Sequence, residues 1–305
     1  MGAVRVPAFA KVNLCLQILG KRPDGYHELR TVFQTISLHD TLAVELTRAS
    51  GIELSISGDA KLARAPFGEN LVFRAIDALR RELRMRSGMR VHLTKRIPAG
   101  RGLGGGSSDA AAALLGLLHL AGRKLPEARI LEIATSLGAD VPFFLFGGRA
   151  VGVGRGDELY PLPDLPRRSI VIVSPRAIAV RTGEAYGWIS RRLTKRDAAP
   201  KLWRFCALCW SPRDEPLEND FEAAVFPRHP RLAKIKRALL KRGAAEAALA
   251  GSGSAVFAVF RSPAQARRAA QGFPNDQVFV CKTLSRAEYR RALSGRGGIG
   301  RQALG

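Results

Sequence analysis

The sequence predicts an α+β protein built as two lobes, and three observations support this. The N-terminal residues alternate apolar and polar side chains, most plainly in VNLCLQIL (12–19) and again in extended segments at 28–37, 42–48 and 52–57. That is the period-two pattern of strands with one buried face. ENLVFRAIDALRREL (69–83) then places apolar positions at helical spacing, MRVHLTKRI (89–97) returns to strand, and two successive helices follow a run of glycines. Finally, PLPDLPRR (161–168) has prolines that oppose regular structure, and beyond it lies a second mixture of strand and helix.

The expected division is therefore an N-terminal lobe at 1–160 and a C-terminal lobe at 161–305. In the second lobe SIVIVS (169–174) reads as a buried strand, stretches near 182–193 and 230–242 as helices, and VFVCKTL (278–284) as a closing strand. AGSGSAVFAVF (250–260) reads as a glycine-serine loop feeding a strand. The closing LSGRGGIGRQALG offers little apolar surface and is expected to fray as a basic tail. With 305 residues, 46% of them hydrophobic, the chain has enough apolar material for a large core without metal or disulfide staples.

Lys and Arg total 49 against 26 Asp and Glu, a formal charge of +23. The excess is spread along the chain and is not gathered into a stripe with aromatics, so it reads as solvated surface, and a nucleic-acid partner is not expected. The four cysteines lack the spacing of a disulfide framework, and no charged-then-apolar signal segment precedes them. Together these predict a reducing, cytoplasmic setting. The apolar runs, such as 141–146, are far shorter than the roughly 20 residues that span a bilayer, so no membrane partner is expected. Cys206 and Cys209 form a C-x-x-C among Trp203, Phe205 and Trp210, with no second pair for zinc, and read as packing.

PAGRGLGGGSSDAAAAL (98–114) carries five glycines within seven residues. Glycine lets main-chain N–H groups turn toward a ligand, and a helix start adds unpaired donors and partial positive charge, a combination that favours phosphate. Ser107 or Ser108 is the expected cap of a helix running to about Leu120, and Pro126 opens a second helix that ends at Gly138. Gly100, Gly102 and Gly105 satisfy G-x-G-x-x-G, but a dinucleotide unit needs a strand after the helix, and here another helix follows. The Walker pattern fails because Ser107 stands where lysine is required.

The N-terminal PAFAKVNLCLQILGKRPDGYHEL supplies Lys11, Asn13, Tyr26 and His27, and the first two share a strand face. Asp140, in GADVPFFLFGG, admits two readings. It is a helix cap or turn former, or it is a carboxylate beside a reacting hydroxyl, with Lys11 close enough to keep it ionised.

Taken together, these stretches resemble the GHMP kinase superfamily. The resemblance rests on Pro7-Ala8-Phe9-Ala10-Lys11-Val12-Asn13-Leu14, on Gly20 to Leu29, on Pro98 to Ser108, on Gly138 to Phe144 and on the GSGS of Gly251 to Ser254. It implies a two-lobed GHMP kinase fold, with an N-terminal lobe resembling domain 2 of ribosomal protein S5 and a C-terminal α/β-sandwich lobe. It also implies that ATP, with Mg2+, lies on Pro98-Ala99-Gly100-Arg101-Gly102-Leu103-Gly104-Gly105-Gly106-Ser107-Ser108, and that Asn70 contacts the adenosine end. Asp140 becomes the base that takes the acceptor hydroxyl's proton, Lys11 holds it ionised and steadies the transferring phosphoryl group, and Asn13 orients the alcohol.

The DGYHEL segment points within the superfamily to an acceptor alcohol carried on cytidine diphosphate, in the non-mevalonate route to isoprenoid precursors. Tyr26 and Tyr186 then stack on the base and His27 bonds its edge. A monomer and a homodimer are both compatible with this. The metal ligands stay unassigned, with Ser108 the one candidate. Alternatives are a kinase of mevalonate or homoserine, or a basic nucleic-acid-binding module, which fits the charge but has no use for Asp140 beside a glycine loop.

Three positions depart from the family pattern. Phe9 is inserted before Lys11, Asp109 replaces the usual asparagine and adds negative charge near the phosphate loop, and Tyr186 occupies a variable aromatic position. The GSGS loop is expected to brace the phosphate loop or to line the acceptor's diphosphate.

Overall fold

The structure, a computed structural model, describes residues 2–190, 205, 206, 209, 216–295 and 299. Its first half is organised by two long paired strands, β1 (Ala3–Lys21) and β2 (His27–Thr47). They run antiparallel through the GKRPDG turn, whose Gly25 has φ 85°. The chain continues through β3 (Ile52–Ser57), α1 (Ala60–Ala63), α2 (Leu71–Glu82), β4 (Gly88–Thr94), α3 (Gly105–Ala121), α4 (Glu127–Leu137), α5 (Phe143–Phe146), β5 (Arg149–Gly154) and β6 (Glu158–Pro161).

One edge of β2 carries both β4, against residues 41–47, and β5, against residues 29–34. The other edge carries β1. Helix α3 lies on the apolar face of this sheet and is buried from Ser108 to Leu118. Its alanine run is a packing requirement: a Cβ at Gly116 would already sit 3.3 Å from Val6 and 3.5 Å from Val4 and Val44. Small side chains let the helix approach the strands closely, and the core closes around it with Val72, Ile76, Leu79, Phe143 and Phe144.

Residues 162–168 carry no regular structure and lead to a second, four-stranded antiparallel sheet. Its elements are β7 (Ser169–Ser174), α6 (Thr182–Ser190), β8 (Glu218–Asn219), α7 (Phe221–Arg228), α8 (Pro230–Lys241), β9 (Glu246–Leu249), β10 (Val256–Phe260), α9 (Pro263–Ala270), β11 (Gln277–Lys282) and α10 (Arg286–Leu293), with strand order β11-β7-β10-β9. The helices cover one face of this sheet. The other faces the first sheet, where Ala10, Val12, Val32 and Ile36 meet Ile170, Ile172 and Phe257.

The two halves are not separate along the chain. β8 joins the edge of β1 in the first sheet, and Tyr289 and Leu293 of α10 are buried in the first lobe's core. The expected frayed tail is overturned at Leu293 and Ile299. Both are fully buried in that core, and the Ile299 N–H donates to the Leu293 carbonyl at 2.9 Å. A lone isoleucine between glycines gives no periodic signal, yet a single apolar side chain is enough to plug a gap. Trp203 and Trp210, expected to flank the C-x-x-C, lie outside the described residues. Cys206 is half-buried and Cys209 packs at the edge of the inter-sheet core. Among the described residues no helix is long and apolar enough to cross a membrane.

If Leu293 belongs to the first lobe, Leu293→Ala will cost about 2–5 kcal/mol, the range for a buried leucine cavity. In urea unfolding the loss is expected in the transition of the lobe that contains α3.

Candidate active site

Lys11 is positioned by its strand and then re-aimed by an irregularity. The β1–β2 register shifts between Phe9/His39 and Lys11/Thr35, with the extra residues on β2, so Phe9 stays paired and Lys11 and Asn13 keep one face. Phe9 itself is buried, its ring 5.1 Å from His39 and 5.5 Å from Tyr289. Lys11 Nζ donates to Asn13 Oδ1 at 2.9 Å, Asn13 Nδ2 to Thr31 Oγ1 at 2.7 Å, and Thr31 Oγ1 to the Cys15 carbonyl at 2.7 Å. This buried relay fixes the ammonium 5.2 Å over the Phe33 ring and 3.4 Å from Asp140 Oδ2. Asp140 is not a helix cap, since Gly138 closes α4 and Pro142 opens α5. It lies in the turn between them, beside Lys11 in the cavity.

The glycine loop is clamped between the halves. Its Leu103 carbonyl accepts the Lys11 N–H at 3.0 Å, and its Arg101 carbonyl accepts the Ala255 N–H at 3.3 Å. A Cβ on Gly102 would lie 1.8 Å from the Ala250 carbonyl oxygen, and one on Gly104 would lie 2.7 Å from the Phe144 ring. Gly104, with φ 72°, starts α3 and makes no side-chain cap. The expected cap at Ser107 or Ser108 is thus overturned. The left-handed Gly104 lets the helix begin earlier, both serines fall inside its first turn, and the first N–H groups are left for an anion.

The Arg101 guanidinium donates to Ser254 Oγ at 2.6 Å and to the Arg176 carbonyl at 3.3 Å, so it ties the glycine loop to the second half of the chain. The GSGS segment braces the loop as expected, and Ser252 Oγ lies 3.1 Å from Thr182 Oγ1 at the start of α6.

A cavity of ≈ 1020 Å³ joins these parts. It is lined by Lys11, Asn13, Tyr26, His27, Asn70, Asp140, Tyr186 and the loop from Pro98 through Ser107. Ser108, the next residue, is buried behind the cavity wall, and its hydroxyl has no hydrogen-bond partner among the described residues. Asn70 lines the wall and caps α2, its Oδ1 accepting the Val72 N–H at 2.8 Å.

At the far end His27 Nε2 lies 2.6 Å from Ser190 Oγ, and its ring stacks on Tyr186 at 4.6 Å and 22°. Burial, and then the Asp140 charge, push the Tyr186 phenol up. Burial and the Lys21 charge push His27 down from 6.5.

Sequence reasoning missed Lys95. Its ammonium lies between Asp40 and Asp109, 2.6 Å from Asp109 Oδ2, and all three are buried. Asp40 Oδ1 also accepts the N–H groups of Arg96 and Ile97, which fixes the strand end that enters the glycine loop. Burial alone would pull the Lys95 ammonium down, but the two carboxylates push it up. Burial pushes the Asp109 carboxyl up, Lys95 pulls against it, and Asp40 adds to the rise. The added carboxyl at Asp109 is therefore accommodated inside the cluster, where Lys95 donates to it. The only sequence hint was a lysine directly before the glycine loop.

Residues 70–148 match the GHMP kinases N terminal domain and residues 205–277 the GHMP kinases C terminal domain. The 4-diphosphocytidyl-2-C-methyl-D-erythritol kinase of Solibacter usitatus is 48% identical over 296 residues, 94% of this chain and 92% of that protein. The chain belongs to the 4-diphosphocytidyl-2-C-methyl-D-erythritol kinase family. Another relative of that name, from Geobacter sulfurreducens, is 40% identical, covering 89% of this chain and 95% of its own length. A crystal structure of 4-(cytidine 5'-diphospho)-2C-methyl-D-erythritol kinase superposes with TM-score 0.77 at 35% identity, over 92% of this chain and 98% of that one. Homoserine kinase from Cytophaga hutchinsonii, at 22% identity and TM-score 0.72, shares the fold.

Lys95→Ala, which leaves two buried carboxylates without a cation, is expected to lose about 3–5 kcal/mol in urea unfolding. Asp109→Asn, which removes the surplus charge and keeps the shape, stays near wild type. In an NMR pH titration, His27 is expected to titrate with a midpoint below 6.5, so that its ring is neutral at pH 7.

Proposed function

We propose that this chain transfers the terminal phosphoryl group of ATP to the 2-hydroxyl of 4-diphosphocytidyl-2-C-methyl-D-erythritol, in the non-mevalonate route to isoprenoid precursors. The observation that carries the reading is the Lys11–Asp140 pair, 3.4 Å apart, in the same cavity as an uncapped helix start and an aromatic end.

In this reading Asp140 accepts the proton of the attacking hydroxyl. Asn13, already held by Lys11 and Thr31, orients that hydroxyl. Lys11 faces both the carboxylate and the space above the loop, where its charge offsets that of the transferring group. The N–H groups at the start of α3 and the glycine loop receive the triphosphate, and Asn70 borders the adenosine end. Tyr26, His27 and Tyr186 receive the cytosine.

Mg2+ fits as a counter-ion of the phosphates, because the described residues offer no group of three or more His, Cys, Asp or Glu side chains for a protein cage. When bound it supplies neutralisation of phosphate charge, with Ser107 and Asp140 as the protein oxygens lining the same cavity. The reading sets the lobe boundary at 161–168 and the enzyme in the cytoplasm, as a monomer or homodimer.

The test is a panel of 4-diphosphocytidyl-2-C-methyl-D-erythritol, mevalonate and homoserine with ATP and Mg2+. Turnover of the first alone is expected, and turnover of either other alcohol in its place overturns the assignment. Asp140→Ala is expected to lower kcat by about 10²–10⁴-fold, the usual worth of a general base, with KM for ATP nearly unchanged.

A further inference from the structure

Arg155 has no part in the chemistry above, yet it lines the same cavity beside Tyr26. It stands in the β5–β6 turn between Gly154 (φ 68°) and Gly156 (φ 96°). Because Leu29 of β2 pairs with Gly154, strand register carries this turn to the start of β2, where Tyr26 and His27 sit. The guanidinium carbon lies 4.9 Å from the centroid of the Tyr26 ring. From its other edge, Nε and Nη2 donate to Asp157 Oδ2 at 3.1 and 2.6 Å. The side chain of Asp157 is only 11% exposed, so the anchor is firm.

Tyr26 needs such support. Its side chain is 55% exposed, and only its main chain is tied down: the N–H donates to Asp24 Oδ1 at 3.1 Å and the carbonyl accepts the Arg22 N–H at 2.8 Å. Among the described residues, no other side chain is found stacked on its ring. An exposed aromatic loses rotamer freedom when a ligand stacks on it, and that loss weakens binding unless the ring is already held. A planar guanidinium on one face, fixed by a largely shielded carboxylate, supplies the hold and leaves the second face free.

We propose that Arg155, anchored by Asp157, is a positioning residue that preforms Tyr26 as the platform for the substrate's nucleobase. The inference deepens the reading of Tyr26 as a base-stacking residue and rests on it. A purely structural role, closing the β5–β6 turn, would change stability and leave ligand affinity alone.

The experiment is calorimetric titration of the full chain with CDP, paired with steady-state kinetics. Arg155→Met is expected to weaken CDP binding by about three- to tenfold, the size of a cation–π contact. KM for the cytidine-linked alcohol should rise in step, with kcat and KM for ATP held. Arg155→Lys, which keeps the charge and loses the planar stack, should restore only part of the affinity, and it serves as the milder variant if Arg155→Met folds poorly. In a Tyr26→Ala background the Arg155 effect should vanish, because the two act through one ring. Wild-type affinity in both Arg155 variants, or an undiminished Arg155 effect without Tyr26, overturns the proposal and leaves the substrate reading intact. No CDP binding by the wild-type chain would bring down the substrate reading and this inference with it.

Discussion

The site depends on a place where two main chains touch with no side chain between them. Gly102 of the phosphate loop faces the Ala250 carbonyl so closely that a methyl group would overlap it. Two further main-chain bonds, from Lys11 and from Ala255, hold the loop on either side of that contact. The loop is thereby held by both halves of the chain at once. Its glycines divide into two kinds. Gly102, Gly104 and Gly105 are required by neighbours that fill the space of a Cβ, while Gly100 faces open space.

The charge pattern is graded from interior to cavity. Asp40, Lys95 and Asp109 form a buried cluster beneath the loop, and the Lys11–Asp140 pair stands above it with Asp140 partly open to solvent. The lower cluster serves placement, since Asp40 gathers the N–H groups of the strand end that leads into the loop. The upper pair keeps the accessible oxygen that proton transfer needs. A buried ion cluster adds little net stability once desolvation is counted, so its value here lies in holding one register of β2, β4 and α3.

Much of this was legible in the sequence where a local period or a contiguous motif carried it. Lys11 and Asn13 could be placed on one face because strands alternate, and the glycine loop could be read as an anion cradle because five glycines before a helix have few other uses. The helix start was misread because serines usually cap, while a left-handed Gly104 let the helix begin sooner. Lys95 was missed because its meaning comes from Asp40, 55 residues earlier in the chain. Arg101 lies within the phosphate motif, yet its partners, Ser254 and Arg176, arrive only with the fold. Ile299 gave no signal at all, since one isoleucine among glycines has no period.

That last residue bears on how the protein is made. Leu293 and Ile299 leave the ribosome well after the rest of the core they fill, which belongs to the first half of the chain. The early lobe therefore emerges with an open apolar gap, and its folding cannot finish as an independent unit during translation, against the usual N-to-C order. A segment far downstream seals the first lobe, so a chain interrupted before Leu293 is left with an exposed core.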